Sequence, residues 1–184
     1  MSAARNRLLQ AAGSLFGVQG YACVGINQII ARAEIAKATF YQHFPSKEAL
    51  CRTWLEIELE RIEGEWARML KDPRPVRERV EENFEDLRAR LEASGYPACP
   101  FALNAAMSAP ESSLRKPIEA YRARIRIFWR ELAGQHEPRV KKAKALGDAW
   151  CLLHAGAMVE AYQTRAPWPL KKAKRAALML GGWS

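Results

Sequence analysis

The chain has 184 residues, a formal net charge of +9 and a hydrophobic fraction of 49%. That length is enough for one small domain plus one medium helical domain sharing a continuous core. The basic balance fits a protein that binds a polyanion.

Apolar positions follow helical spacing nearly everywhere, so an all-α protein is expected. Leu8, Ala12, Leu15 and Phe16 mark a first helix, which ends at a Gly20-Tyr21 corner. Ile26, Ile29, Ile30 and Ala33 mark a second. Ile35, Phe40 and Phe44 can bury a third, very short one. After Pro45, Ser46 is a good N-cap, and Glu48 and Ala49 open a long helix. Leu55, Leu59, Ile62, Trp66 and Met69 recur on one of its faces, and Glu56, Glu58, Glu60, Glu63 and Glu65 keep the rest wet. Pro73 and Pro75 end it.

Val76, Val80, Phe84, Leu87 and Leu91 give the next helix, which stops at Ser94-Gly95-Tyr96-Pro97. The almost uncharged stretch from Pro100 to Ala109 reads as a small buried helix. Ser112 and Ser113 cap a restart, and Leu114, Ile118, Tyr121, Ile125, Phe128 and Leu132 form a regular stripe. Gly134 and Pro138 close that helix. The following one runs from about Arg139 to Thr164 and is apolar nearly all round from Ala149 to Tyr162. A helix of that kind needs partners on more than one side, and the simplest second partner is another subunit. Pro167-Trp168-Pro169 breaks it, and Leu170 to Gly181 forms the last helix.

The second and third helices are the informative pair. Between its apolar anchors the third carries Lys37, Thr39, Tyr41 and His43, donors that so short an element does not need for stability. A short helix on a packed base with donors outward is the layout of a helix-turn-helix that reads a major groove.

From Arg7 through Leu50 the chain resembles the DNA-binding domain of the tetracycline-repressor-like (TetR) family. The resemblance rests on the first-helix stripe, the Gly20-Tyr21 corner, the helix-turn-helix and, above all, the run Phe40-Tyr41-Gln42-His43-Phe44-Pro45-Ser46-Lys47-Glu48-Ala49-Leu50. It implies a helix-turn-helix DNA-binding domain over residues 1–45. It also implies a helical effector-binding and dimerisation domain over 46–184, with the long helix after Ser46 joining the two as a rod. The implied partners are double-stranded operator DNA, a second copy of the chain and a small-molecule effector whose identity the sequence does not give. The implied role is a transcriptional regulator, a repressor released from its operator by an apolar or aromatic effector.

By position in the family motif, Thr39, Tyr41, His43 and Lys47 occupy DNA-contact positions. Tyr41 and Lys47 read as phosphate ligands, and Lys37 as a guanine or phosphate contact. Ala38 offers an apolar surface for a thymine methyl, and Asn27 can reach a base edge or a phosphate. His43 can instead cap or pack. Two departures from the family pattern bear on the turn: Glu34 stands where Gly is common, and Ala36 where a Ser or Thr cap is common. In the second domain, Trp66, Phe101, Asn104, Met107, Tyr121, Phe128, Trp150, His154 and Met158 are the candidate effector contacts. Asn104 and His154 lead, because polar groups in apolar helices need partners.

Residues 1–50 hold five Lys/Arg against two Asp/Glu, and most of the basic excess lies beyond residue 114. Cys23, Cys51, Cys99 and Cys151 form no C-x-x-C pair, and the histidines at 43, 136 and 154 are far apart, so neither zinc nor a disulfide framework is expected. Nor is a cofactor or an enzymatic activity, since no nucleophile motif or phosphate loop appears. The start shows no signal peptide and no apolar run spans a bilayer, which gives a cytoplasmic protein with no membrane partner as the expectation. Two alternatives keep the same frame. One is a cysteine redox sensor using the same DNA head, with Cys99 as the thiol of interest. The other is a ligand-binding dimer that has lost DNA binding.

Overall fold

The computed structural model describes residues 2–183, and among them all regular structure is helical. The helices are α1 (Ala3–Gln19), α2 (Ile26–Ala33), α3 (Lys37–His43), α4 (Lys47–Lys71), α5 (Val76–Ala93), α6 (Pro100–Met107), α7 (Arg115–Gly134), α8 (Val140–Thr164) and α9 (Trp168–Leu180). They divide into two compact units. The first runs up to Ile62 and includes Ala98–Tyr121; the second holds Glu63–Pro97 and the chain from Arg122 onward. Helices α4 and α7 therefore contribute residues to both.

The first unit is built on α1. Ser2 caps it, its hydroxyl accepting from Arg5 N at 3.3 Å. Leu8, Ala11, Ala12, Leu15 and Phe16 bury one face against Ile29, Ala33, Phe40, Phe44, Leu50, Trp54 and Leu55. Ser46 caps α4 as its sequence context predicts, accepting from Ala49 N at 3.0 Å. Glu48 ties the start of α4 to the segment before α7. Its Oε1 accepts from Ser113 N and Ser113 Oγ, both at 2.7 Å, and from Ser112 Oγ at 3.0 Å. Those bonds favour the carboxylate and hold its pKa below the ordinary value.

Helix α6 is buried on one face only. Phe101 and Asn104 point into the core, whereas Ala102, Ala106 and Met107 are exposed. The low charge of this stretch had suggested a small buried helix, but small alanines are tolerated in water at little cost. The Gly20 corner has φ +77°, and a β-carbon there would collide with Met107 Sδ. Glycine is thus required there by conformation, and a side chain in its place would also have to displace the end of Met107.

In the second unit, Val76, Val80, Phe84, Leu87 and Leu91 are all buried, as their spacing predicts. Helix α8 meets α7 backbone to backbone. A β-carbon on Gly147 would sit 2.5 Å from Arg130 Cα and 2.7 Å from the Trp129 carbonyl oxygen. Beside that crossing, Arg126 and Arg130 fork the Asp148 carboxylate at 2.7–2.9 Å and hold it well below the usual carboxylate range. Helix α9 begins at Trp168, two residues before the expected Leu170. Pro169 falls in its first turn, where a missing N–H costs nothing, so the proline pair separates α8 from α9 without excluding Trp168 and Pro169 from the new helix. The open end of α4 is closed by Arg79 Nη1, which donates to Met69 O at 2.9 Å, and by Gln135 Nε2, which donates to Leu70 O at 3.0 Å. No helix among the described residues is long and apolar enough to cross a membrane.

Candidate nucleic-acid interface

Helix α2 buries Ile29 and Ala33 and leaves Asn27, Gln28, Ala31 and Arg32 exposed. The turn that follows is the sharp one. Glu34 has φ 52° and ψ 52°, the left-handed conformation that a glycine would take without strain. The Glu34 and Ile35 amides are both satisfied within that turn, by Ala31 O and Ile30 O at 3.3 Å. The glutamate thus keeps the tight geometry of a glycine turn and stores strain in it. Glu34 lines a crevice of about 330 Å³ with Arg7, Gln10, Ser14 and Arg32.

Helix α3 starts without a side-chain cap, as Ala36 requires. Its seven residues turn Phe40 fully inward. Lys37, Ala38, Tyr41 and Gln42 face water, with Thr39 and His43 half-buried at the margins. Tyr41 is 47% exposed, and its ring packs edge-on against Phe40 at 5.2 Å, which steadies the phenol without covering it. His43 Nε2 lies 3.3 Å from Ser2 Oγ, and the Arg5 guanidinium stands 5.3 Å over the Phe44 ring. The start of α1 is therefore fastened beside the end of α3. Asn27, Lys37, Ala38, Thr39, Tyr41 and His43 all lie on this short helix pair.

Lys47 stands apart from that set. Its Nζ donates to Tyr21 O at 2.9 Å and to Val24 O at 2.8 Å, and it sits 4.2 Å from the centre of the Tyr21 ring. Two of its three donors are thus committed to the corner between α1 and α2. Asn104 grips the same corner from α6. Its Oδ1 accepts from Tyr21 N at 2.7 Å, while its Nδ2 donates to Pro100 O at 2.8 Å. Asn104 is fully buried, and both ends of its amide are satisfied by protein, so it needs no ligand to complete it. Sequence reasoning asked for a partner for Asn104 but had no signal for this one, because Tyr21 lies 83 residues away.

The other effector candidates fall into two sets. Phe101, Asn104, Met107 and Tyr121 belong to the first unit, where Phe101 and Tyr121 stack at 4.1 Å. Trp66, Phe128, Trp150, His154 and Met158 belong to the second, where Trp66 stacks on Phe128 at 5.3 Å. Trp150 is fully buried and its Nε1 donates to Ala177 O at 2.9 Å, which makes it a strut between α8 and α9. His154 has a buried Nδ1 without a partner, and burial pulls its pKa down to about 4. All four cysteines are free thiols. Burial pushes the Cys51 thiol up to about 12 and raises Cys99 and Cys151 as well, which makes poor nucleophiles of all three. Among the described residues no group of three or more His, Cys, Asp and Glu is placed to hold a metal ion.

Residues 8–52 match the family model described as bacterial regulatory proteins, tetR family. The chain is 29% identical over 151 residues to the HTH-type transcriptional regulator LmrA of Bacillus subtilis, across 79% of this chain and 80% of that one. It is 33% identical over 89 residues to the HTH-type transcriptional activator FasR of Mycolicibacterium smegmatis, across 48% of this chain and 37% of that one. The A-factor receptor protein of Streptomyces griseus matches at 34% identity over 58 residues, 21% of its length. The chain thus spans well under half the length of these last two relatives. In three dimensions it resembles a TetR-family transcriptional regulator of Streptomyces coelicolor, with a TM-score of 0.87 at 23% identity, over 97% of this chain and 94% of that one. It also resembles the reduced form of NemR from E. coli, with a TM-score of 0.77 at 20% identity over 96% of each chain. With the motif, the reading helix and the helical architecture in agreement, residues 8–52 form a DNA-binding domain of the tetR family of bacterial regulatory proteins, carried on an all-helical chain.

Proposed function

We propose that this protein is a sequence-specific, DNA-binding transcriptional regulator that works as a homodimer and loosens its hold on DNA when its second unit binds a small molecule. The observation that carries the first part is the face of α3: Lys37, Ala38, Tyr41 and Gln42 in water, over a fully buried Phe40. Lysine and threonine donors suit base edges and phosphates, an alanine methyl suits a thymine methyl, and a phenol suits a phosphate oxygen. Asn27, near the start of α2, adds one further donor. Lys47 acts here mainly by fixing the corner on which α2 and α3 rest.

Pairing of two copies is supported by exposed apolar side chains on α8 and α9. Leu152 is 73% exposed and Met179 65%, with Val159, Trp168 and Leu180 also in water. Two copies joined there would present two α3 helices to half-sites about 34–36 Å apart. An effector in the second unit must favour one state of the dimer over the other to act at all. Helices α4 and α7, which have residues in both units, are the covalent routes for that signal.

The test is selection of binding sites from random duplexes, followed by a titration in which Lys37→Ala is compared with the parent. Enrichment of a two-fold symmetric site, with the variant losing more affinity on that site than on random DNA, is expected. No enriched sequence at low salt would overturn the reading and favour a dimer without DNA function.

A further inference from the structure

The second unit contains three orphaned polar atoms, two of them on members of one triangle of rings and the third on the residue that precedes its Phe84. Phe84, Trp129 and His154 stand 5.7–6.2 Å apart, centre to centre, at inclined angles. Trp129 is fully buried and its Nε1 has no partner. His154 Nδ1 and Asn83 Oδ1, the latter on the residue before Phe84, are also buried and unpartnered. Asn83 engages its other end, Nδ2 lying 3.7 Å from Met69 Sδ. Each buried orphan costs on the order of 1–3 kcal/mol. Another indole of the same aromatic cluster, Trp150, is satisfied, and His136 Nε2 lies 2.8 Å from Gly181 O. The three orphans are therefore not a general looseness of this unit. A fourth, Arg79 Nε, belongs to a guanidinium already fixed to Met69 O and Gln135 Oε1 at the end of α4.

The chemistry of the orphans is selective. An indole N–H can only donate, so Trp129 needs an acceptor. An amide oxygen can only accept, so Asn83 needs a donor. A neutral imidazole nitrogen does either, according to tautomer. An ionised carboxylate offers acceptors alone and leaves Asn83 unmet. An ammonium offers donors alone and leaves Trp129 unmet. A hydroxyl offers both, and the ring walls Phe84, Phe128 and Trp66 suit a flat apolar body.

Resting on the reading of the second unit as the effector-binding part, we propose that its ligand is an uncharged, hydroxyl-bearing aromatic molecule, whose hydroxyl is bound among Trp129, His154 and Asn83. The burial that keeps His154 neutral agrees with an uncharged occupant.

The experiment uses the full-length protein and three probe types: the hydroxylated set phenol, 2-naphthol and 4-phenylphenol; naphthalene; and 2-naphthoate. Binding is read by calorimetry and by the Trp129 indole proton in nuclear magnetic resonance. At least one hydroxylated probe should bind and move that proton, with naphthalene and 2-naphthoate weaker by roughly tenfold, one hydrogen bond's worth. Trp129→Phe and His154→Phe should each remove most of that preference while keeping an aromatic ring in place. If either fails to fold, Asn83→Leu serves as the third variant. Tighter binding of 2-naphthoate overturns the uncharged class. No binding by any hydroxylated probe overturns the site, and the orphans are then held by buried water. Binding as expected with no change in DNA affinity leaves the site standing and overturns instead the effector reading on which it rests.

Discussion

Tyr21 is held from two helices at once, and that arrangement sets what single residues do here. Asn104 takes its amide hydrogen, Lys47 takes its carbonyl, and both are far away in sequence. Asn104→Ala should cost about 1–3 kcal/mol, because it strands a partly buried N–H and opens a small cavity. Urea unfolding is the measurement; a loss below about 0.5 kcal/mol would mean that water replaces the amide. Glu34 offers the opposite sign. Its left-handed backbone costs on the order of 1 kcal/mol, and Glu34→Gly relieves it at the expense of a more flexible unfolded chain. A net gain of a few tenths of a kcal/mol, seen as a higher melting temperature, is expected. A lower melting temperature would show that the glutamate side chain stabilises the crevice with Arg7 and Arg32 by more than the strain it imposes.

His154 gives the residue scale a pH dependence. Its folded pKa of about 4 lies below the ordinary value of 6.5, because burial disfavours the imidazolium and Arg90 repels it. The unfolded chain thus binds the proton more readily between those two values. Stability should be fully present above pH 6.5 and decline as pH falls toward 4, by at most about 1.4 kcal/mol per unit from this group. His154→Phe should flatten that part of the profile. An equal slope in the variant would place the titration elsewhere.

At the scale of elements, helix faces were readable because burial follows a 3.6-residue period. The α5 stripe and the α1 stripe are buried as spaced. The limits of legibility are equally physical. Helix α6 was expected to be a small buried helix, yet apolar composition does not say which side meets water. Helix α9 starts earlier than a proline pair suggests, since proline is compatible with a first turn. The reading helix was legible from its donors and its inward Phe40; the corner that positions it was not, because Asn104 and Lys47 reach it through contacts that no local pattern encodes. The α8 and α9 faces yield the element's own prediction. Leu152 and Val159 are seven residues apart, two helical turns, and both are exposed. Leu152→Asp should convert the proposed dimer to a folded monomer in light scattering with helicity unchanged. A dimer that survives both Leu152→Asp and Val159→Asp would move the interface off this face.

For the whole molecule, the net charge of +9 is a poor guide to how DNA is held, since residues 1–50 have only five basic against two acidic side chains. Salt dependence resolves which of those charges touch phosphate. A dimer losing one phosphate contact per subunit should lose about 1.8 from the slope of log affinity against log salt, at about 0.9 per contact. Lys47→Met keeps most of the length of the side chain and removes the ammonium. Because that ammonium is bound to Tyr21 O and Val24 O, the expected result is a slope change well short of about 1.8, a lower melting temperature and an affinity loss alike on operator and random DNA. Lys37→Ala is the contrast, exposed at the start of α3. It should leave melting unchanged and weaken operator binding by about 1–3 kcal/mol per half-site more than random DNA if it reads a guanine. The assignment of Lys47 to the corner fails if Lys47→Met takes the full 1.8 from the slope and melts like the parent, for the lysine would then hold phosphate rather than the protein's own backbone.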